Sequence, residues 1–265
     1  MSTDGEPPIE SFKRAVASCF RAMADESELD VTFSAETPGV SGDRVRLPFP
    51  SRELPSGEVA QVRGEADALA LKMRHHDARL HSRRMPSGDV APVLFEMLEQ
   101  ARVEALGTRR MAGASENIAA ALEDKFRREG LHRVNDRTEA TMPEVVRLMA
   151  REAFTGEAPP PAAQRVCELW EPLLKDKIGK DIEMLRECLN DQAEYSSTVR
   201  QLISDLDIEI GTGQDSEDSE STGDEADEDS MQSESEEEGG ESADADGESG
   251  GEATETDGGD DDLGD

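Results

Sequence analysis

Aromatic side chains are scarce in this chain, with one Trp, one Tyr and seven Phe in 265 residues. Any core must therefore be built from Leu, Val, Ile, Ala and Met. Cysteine is scarcer: Cys19, Cys167 and Cys188 show no short metal-type spacing, and an odd number leaves one unpaired. That argues against a secreted disulfide framework and for a reducing compartment. No stretch approaches the ~20 apolar residues needed to cross a bilayer. Met1 is followed by Asp4 and Glu6 rather than a basic, apolar leader, so no signal peptide is expected. These absences together lead us to expect a soluble, cytoplasmic protein.

Basic residues are missing altogether from Gly211 to Asp265, and after Met231 that stretch holds little that is apolar beyond small residues and Leu263. It carries 24 of the acidic residues, so of the net charge of −34 only −10 belongs to residues 1–210. A segment this acidic and this poor in hydrophobes cannot bury enough surface to offset its ordering entropy. We therefore expect a disordered, self-repelling acidic linker or tail over 211–265 and a folded body over 1–210, long enough for one good-sized domain or two small ones.

A net negative body argues against sequence-independent binding of nucleic acid, which needs a basic surface. Local basic clusters exist at Arg83-Arg84, Arg109-Arg110 and Lys125-Phe126-Arg127-Arg128. Most such pairs are solvated helix faces; the alternative is that they receive an acidic surface, on a partner or on the chain's own tail.

The body reads as mainly α. Phe12, Val16, Cys19, Phe20 and Met23 recur at helical spacing over 9–24. Residues 29–33 and 44–47 alternate apolar and polar around Pro38-Gly39 and Ser41-Gly42, which predicts one small β-hairpin over about 29–47 with a long turn. Prolines at 48, 50 and 55 mark an irregular connector. A helical stripe then runs from Val59 through Val62, Ala66, Leu69, Ala70 and Met73 toward His75. The next helix, over 89–107, has Asp89 as a plausible N-cap, Gly107 as a plausible stop, and a stripe of Val93-Leu94, Met97-Leu98, Ala101 and Ala105. Ile118, Leu122 and Phe126 define a helix over 113–128, and Pro143–Phe154 another closed by Gly156 before the Pro159-Pro160-Pro161 break. Pro172 and Gly179 suggest a kink or restart. The most regular pattern is Ile178, Ile182, Leu185, Leu189, Gln192, Ser196, Val199, Ile203 and Leu206, alternating four and three apart. It predicts a long heptad helix over about 178–206, packed on its own domain or offered to another chain, with polar Gln192 and Ser196 in the seam.

Candidate chemistry is thin. His75, His76 and His81 form the only histidine cluster, but separations of one, five and six cannot bring all three to one face of a helix. A structural role is the first reading, a metal or proton-transfer role the second, and a hydrolase built on these three histidines the function that second role would serve. Gly57, Gly64 and Gly88 lack a phosphate-loop context, and no nucleophile elbow or cysteine with a base partner is readable. No catalytic, cofactor-binding or metal-binding residue is assigned.

Several blocks nevertheless stand in a familiar order. They are Phe12–Cys19, Val31–Ala35, Pro38–Pro48, Val62–Asp67 with Ala70–Lys72, Glu99–Gly113, Leu122–Lys125, Thr155–Pro160 and Leu169-Trp170. In this order and spacing they resemble the CobT subunit of the aerobic, ATP-dependent cobaltochelatase, over roughly residues 10–210, with the acidic stretch similar to that family's linker. Glu99–Gly113 is the most specific block. The resemblance implies a role in cobalamin biosynthesis as a non-catalytic subunit of a ligase that inserts cobalt into hydrogenobyrinic acid a,c-diamide. It further implies a hetero-oligomer with a CobS-like AAA+ ATPase and a CobN-like large subunit. ATP, magnesium and cobalt would be used by those partners and no cofactor bound by this chain. The contacts are expected from helices around 89–128 and from the heptad helix. The family pattern continues past its linker into a von Willebrand/integrin-type domain with a metal-binding Asp-x-Ser-x-Ser loop. Asp215-Ser216, Asp218-Ser219 and Asp229-Ser230 do not complete that loop, so an N-terminal fragment or split gene product is expected. The rival function, motivated by the tail alone, is an acidic-tailed interaction protein or chaperone for basic partners.

Overall fold

The order of helices follows the apolar periodicity closely. The computed structural model describes residues 6–138 and 141–208. Its helices are α1 (Pro8–Ala24), α2 (Ser56–His75), α3 (Ala78–Arg84), α4 (Ala91–Thr108), α5 (Ala112–Arg128), α6 (Met142–Thr155), α7 (Pro161–Glu187) and α8 (Gln192–Asp205), with a 3-10 turn at Leu131–Arg133. Between α1 and α2 lie the strands β1 (Asp30–Ser34), β2 (Gly39–Ser41) and β3 (Arg44–Pro48). The architecture is thus mainly α with a small sheet, as expected. The acidic stretch, with its Asp-Ser dipeptides, lies outside the described residues.

Helix α4 is the central element, packing against α2, α5, α6 and α8. Leu94, Leu98, Ala101, Val103 and Ala105 are completely buried along it, whereas Val93 of the expected stripe faces solvent. Phe95 fills the core instead. Phe12, Val16, Phe20 and Met23 of α1 and Ile118, Leu122 and Phe126 of α5 are buried at the spacing the sequence indicated. Gly156 closes α6 in the left-handed conformation at φ 78°, which a residue without Cβ adopts at little cost.

Three elements depart from the sequence reading. The segments 30–34 and 44–48 do not form a hairpin with each other; they pair in parallel, Val31 beside Val45 and Phe33 beside Leu47. The hairpin is β2 with β3, antiparallel through Val40 and Val45. Gly42, at φ 56°, turns the chain between them so tightly that β3 is already paired on one edge, and β1 adds to the other edge. Gly107 does not stop α4 but lies inside it. A Cβ there would sit 2.0 Å from Cδ2 of Leu71, so the glycine is needed for the close crossing of α2 and α4. Gly64 does the same for α2 and α5, where a Cβ would meet the Asn117 carbonyl oxygen at 2.0 Å. Asp89 is likewise not the cap; Val90 occupies that position.

The predicted heptad helix is two helices. Helix α7 runs unbroken from Pro161 through Pro172 and Gly179 to Glu187, so neither residue restarts it. The chain then turns, and Asp191 starts α8 by accepting hydrogen bonds from Ala193 N at 2.9 Å and Glu194 N at 3.0 Å. The seam closes internally: Ile178, Ile182, Leu185, Leu189, Val199 and Ile203 are buried where α7 and α8 pack together and on the core. A helix-pairing stripe running the length of 178–206 is therefore not presented to another chain.

Candidate functional site

A cleft of about 1050 Å³ lies where six helices begin or end. Met23 comes from the last turn of α1, Arg74 and His75 from the last turn of α2, and Leu106 and Gly107 from the last turn of α4. Arg109 and Arg110 follow α4, Met111 is the N-cap of α5, and Asp77, Asn190 and Gln192 lie at the starts of α3 and α8. The Gly107–Leu71 crossing keeps the backbones of α2 and α4 close beneath this cleft.

Arg102 forms its base. It is buried, and its guanidinium donates to both carboxylate oxygens of Glu99 at 2.7 Å, to the carbonyls of His75 at 2.7 Å and Leu189 at 3.0 Å, and to Gln192 Oε1 at 3.0 Å. A guanidinium suits this position because its fixed fork satisfies carbonyls left free at helix ends while pairing a carboxylate in two-point fashion. Gln192 completes the tie. Its Oε1 accepts from Asp77 N at 2.8 Å and its Nε2 donates to the Asp77 carbonyl at 3.0 Å. The start of α8 is thereby fixed to the α2–α3 link. The polar seam residue thus bridges elements of one chain.

The three histidines separate. His75 faces the cleft, and its pKa is held below the ordinary value by burial first, then by Arg74, Arg102 and Arg110. The rings of His76 and His81 meet edge-on with centroids 4.7 Å apart. His76 Nδ1 donates to Glu99 at 2.8 Å and His81 Nε2 to Glu96 at 3.0 Å. The other ring nitrogen of His81, Nδ1, is buried and meets no partner among the described residues. Glu96 is drawn down to about 2 by the His81 hydrogen bond, against burial, with Lys72 assisting at 3.0 Å. Burial pushes Glu99 up, but hydrogen bonds from Arg102 and His76 outweigh it and leave its pKa lowered. No group of three or more His, Cys, Asp or Glu side chains among the described residues is placed to hold a metal ion.

A second ionic cluster sits on the other side of α4. Glu104 accepts from Arg147 at 2.8 Å and from Gln100 at 2.9 Å, and Arg151 pairs with Glu157 at 2.6 Å. Lys125 binds Glu144, and Ser115 binds Glu157. These charges neutralise one another and link α4, α5 and α6.

The basic clusters divide by their partners. Arg84 donates to Ser197 Oγ at 2.7 Å, while Arg127 and Arg128 pair with Glu123 and Asp124 one turn earlier on α5. Arg109 and Arg110 are exposed, and their side chains make no ion pair or hydrogen bond among the described residues. The sequence reading flagged this pair but missed Glu99, Arg102 and Arg74. The available signal was Arg102 itself, four residues after Leu98 and three before Ala105, a charge at a position of the apolar stripe.

No solved structure matches the chain. The family model described as cobalamin biosynthesis protein CobT matches residues 6–265. The chain belongs to the CobT family. That membership gives it a role in cobalamin biosynthesis and agrees with the resemblance carried by Glu99–Gly113 and the other blocks. The most specific CobT-like block contains Glu99, Arg102, Glu104 and Gly107, so its residues are those that join α4 to its neighbours. It also contains Arg109-Arg110, three residues before its end at Gly113. No helix among the described residues of this CobT-family chain is long and apolar enough to cross a membrane.

Proposed function

We propose that the chain is a subunit of an ATP-dependent cobaltochelatase. It assembles with an AAA+ ATPase subunit and a large subunit that holds metal and tetrapyrrole. In this reading, ATP hydrolysis on the first is coupled to cobalt insertion into hydrogenobyrinic acid a,c-diamide on the second. The carrying observation is the CobT family match along residues 6–265. The ionic groups inside the fold support a coupling role. Glu99 and Arg102, and Glu104 and Arg147, are paired with each other, which holds helices in place and leaves these groups unsuited to bond making.

Co-purification of the full chain with the ATPase and large subunits, with and without ATP, tests the reading. An ATP-dependent complex is expected, and it should persist when only residues 1–210 are used. A full chain that remains a monomer beside both partners under chelation conditions refutes the proposal. Binding that vanishes on removal of 211–265 and is erased by moderate salt supports instead an acidic-tailed protein that captures basic partners.

A further inference from the structure

Gly64 and Gly107 sit inside helices because a neighbouring helix passes too close for a Cβ. Gly179, inside α7, has no such reason: a Cβ there would meet only Lys175 Cγ at 3.9 Å. Pro172, two turns earlier, is the other residue poorly suited to a helix interior. Lacking an N–H, it leaves the Glu168 carbonyl without its intrahelical partner. Glu168 and Gly179 line one groove of about 510 Å³ between α6 and α7.

The groove follows α7 from Gln164 to Glu183, a span of about 28 Å at the α-helical rise. Its floor is low and apolar. Cys167 and Ile182 are buried there, Ala153 and Gly179 are half-buried, and Met149 borders them from α6. The walls carry Glu152 from α6 and Glu168, Glu171 and Glu183 from α7, against Lys175 alone. Glu152 is exposed, and its side chain makes no ion pair or hydrogen bond among the described residues. Glu168, Glu171 and Glu183 each meet a cation one turn away on α7, at 3.5, 3.9 and 3.1 Å. All three pairs are solvent-exposed, a setting in which such contacts hold their partners weakly. They do not cancel the field inside. The Cys167 thiol on the floor is pushed up to about 12, by burial first and then by Glu152, Glu171 and Glu168. Negative charge prevails in the groove even with Lys175 beside it.

These features select the occupant. The walls call for a cationic partner, and the small apolar floor for an aliphatic ridge between its cations. A straight edge of about 28 Å matches about five turns of helix. No strand among the described residues borders the groove, so an extended peptide finds no sheet edge to join. A glycine on the floor lets a second backbone come close, as Gly64 and Gly107 do within the chain.

We propose that the groove between α6 and α7 docks a basic amphipathic helix of a partner protein, its Lys and Arg side chains meeting the groove's glutamates and its apolar face lying over Gly179. The choice of partner rests on the chelatase reading, in which the helix belongs to one of the other two subunits. The competing explanation is a solvated acidic face on which Gly179 has no role.

The test measures binding of the purified ATPase subunit and of the large subunit, each separately and with ATP present, to the full chain. Wild type is compared with Glu152→Lys/Glu171→Lys and with Gly179→Leu. Asp176→Lys/Glu187→Lys is the control, making the same charge change at exposed residues of α7 outside the groove. Every variant retains residues 211–265, so capture by the acidic stretch is common to all. Far-UV circular dichroism and the urea midpoint establish that each variant is folded. Gly179→Ala, which adds only a methyl group, stands in if leucine disturbs the fold. One subunit should bind wild type and control alike, and bind both groove variants at least tenfold more weakly. Unchanged binding by either groove variant, or an equal loss in the control, overturns this proposal and leaves the chelatase reading standing. A wild-type chain that binds neither subunit removes both.

Discussion

Arg102 shows why a charged side chain can be more deeply buried than most leucines and still stabilise the fold. Its desolvation is offset by five hydrogen bonds, two to Glu99 and one each to His75, Leu189 and Gln192. Removing one partner of such a pair leaves the other charge buried and uncompensated, at a cost of about 3–5 kcal/mol. Arg102→Ala is therefore expected to lose that amount in urea unfolding. The double change Arg102→Met with Glu99→Leu should lose less than Arg102→Ala, because no orphan carboxylate remains. Equal losses would show that the carbonyl contacts, rather than the ion pair, carry the effect. Glu96 makes a milder prediction. Its folded pKa of about 2 lies below the ordinary 4.5, so its contribution is complete above pH 4.5 and is lost as pH falls toward 2. The side chain is 45 % exposed, so solvent screening limits the contribution to about 0.2–1 kcal/mol. Glu96→Gln should flatten the stability–pH curve between pH 4.5 and 2 by that amount.

Gly107 sets how closely α4 approaches α2. An added Cβ at Gly107 would meet three atoms of Leu71 within 3 Å, while one at Gly179 would find only Lys175 Cγ at 3.9 Å. Both lie inside helices, so intrinsic propensity favours alanine at each by about 1 kcal/mol. Gly179→Ala is accordingly expected to stabilise by up to that amount. Gly107→Ala is expected to destabilise by about 1–3 kcal/mol through overpacking. Leu71→Ala placed beside Gly107→Ala should recover part of the loss, a non-additivity that a double-mutant cycle in urea reads directly. The two glycines also show what the sequence could and could not reveal. Apolar spacing marked nearly every helix, because the stripe through Phe12, Val16 and Phe20, like that through Ile118, Leu122 and Phe126, is also the buried face. Gly107 read as a stop because close approach between helices leaves no local trace; only the facing Leu71 explains it. The strands were legible but their pairing was not, since alternation at Val31 and Val45 fixes a buried face and says nothing of direction. The heptad spacing misled because two helices joined at Asp191 can share one buried seam with the same four-three rhythm. Arg109-Arg110 was legible as a basic pair. Its opposition to Arg74 and His75 arises from helix ends far apart in sequence.

Across the whole body, the buried arginines join elements that apolar contact alone would hold more loosely. Arg102 connects α4 to the ends of α2 and α7 and to the start of α8, and Arg147 connects α4 to α6. Arg151 connects α6 to Glu157, which also holds Ser115 of α5. Breaking any one helix out of this set strands a charge in a low-dielectric interior, so partial unfolding is costly at every step. Residues 6–208 should consequently unfold as one cooperative unit. The single tryptophan makes the test direct. Trp170 lies in α7, and its indole N–H donates to Thr141 Oγ1 at 3.0 Å at the start of α6, so its fluorescence reports the α6–α7 junction. Far-UV circular dichroism reports all the helices together. The two signals should give coincident urea transitions with one midpoint. In Arg102→Ala both midpoints should fall together even though Trp170 makes no contact with Arg102. A tryptophan transition that stays put while the helical signal moves would show that α6 and α7 form a separate folding unit, and the ionic ties through α4 would then be local.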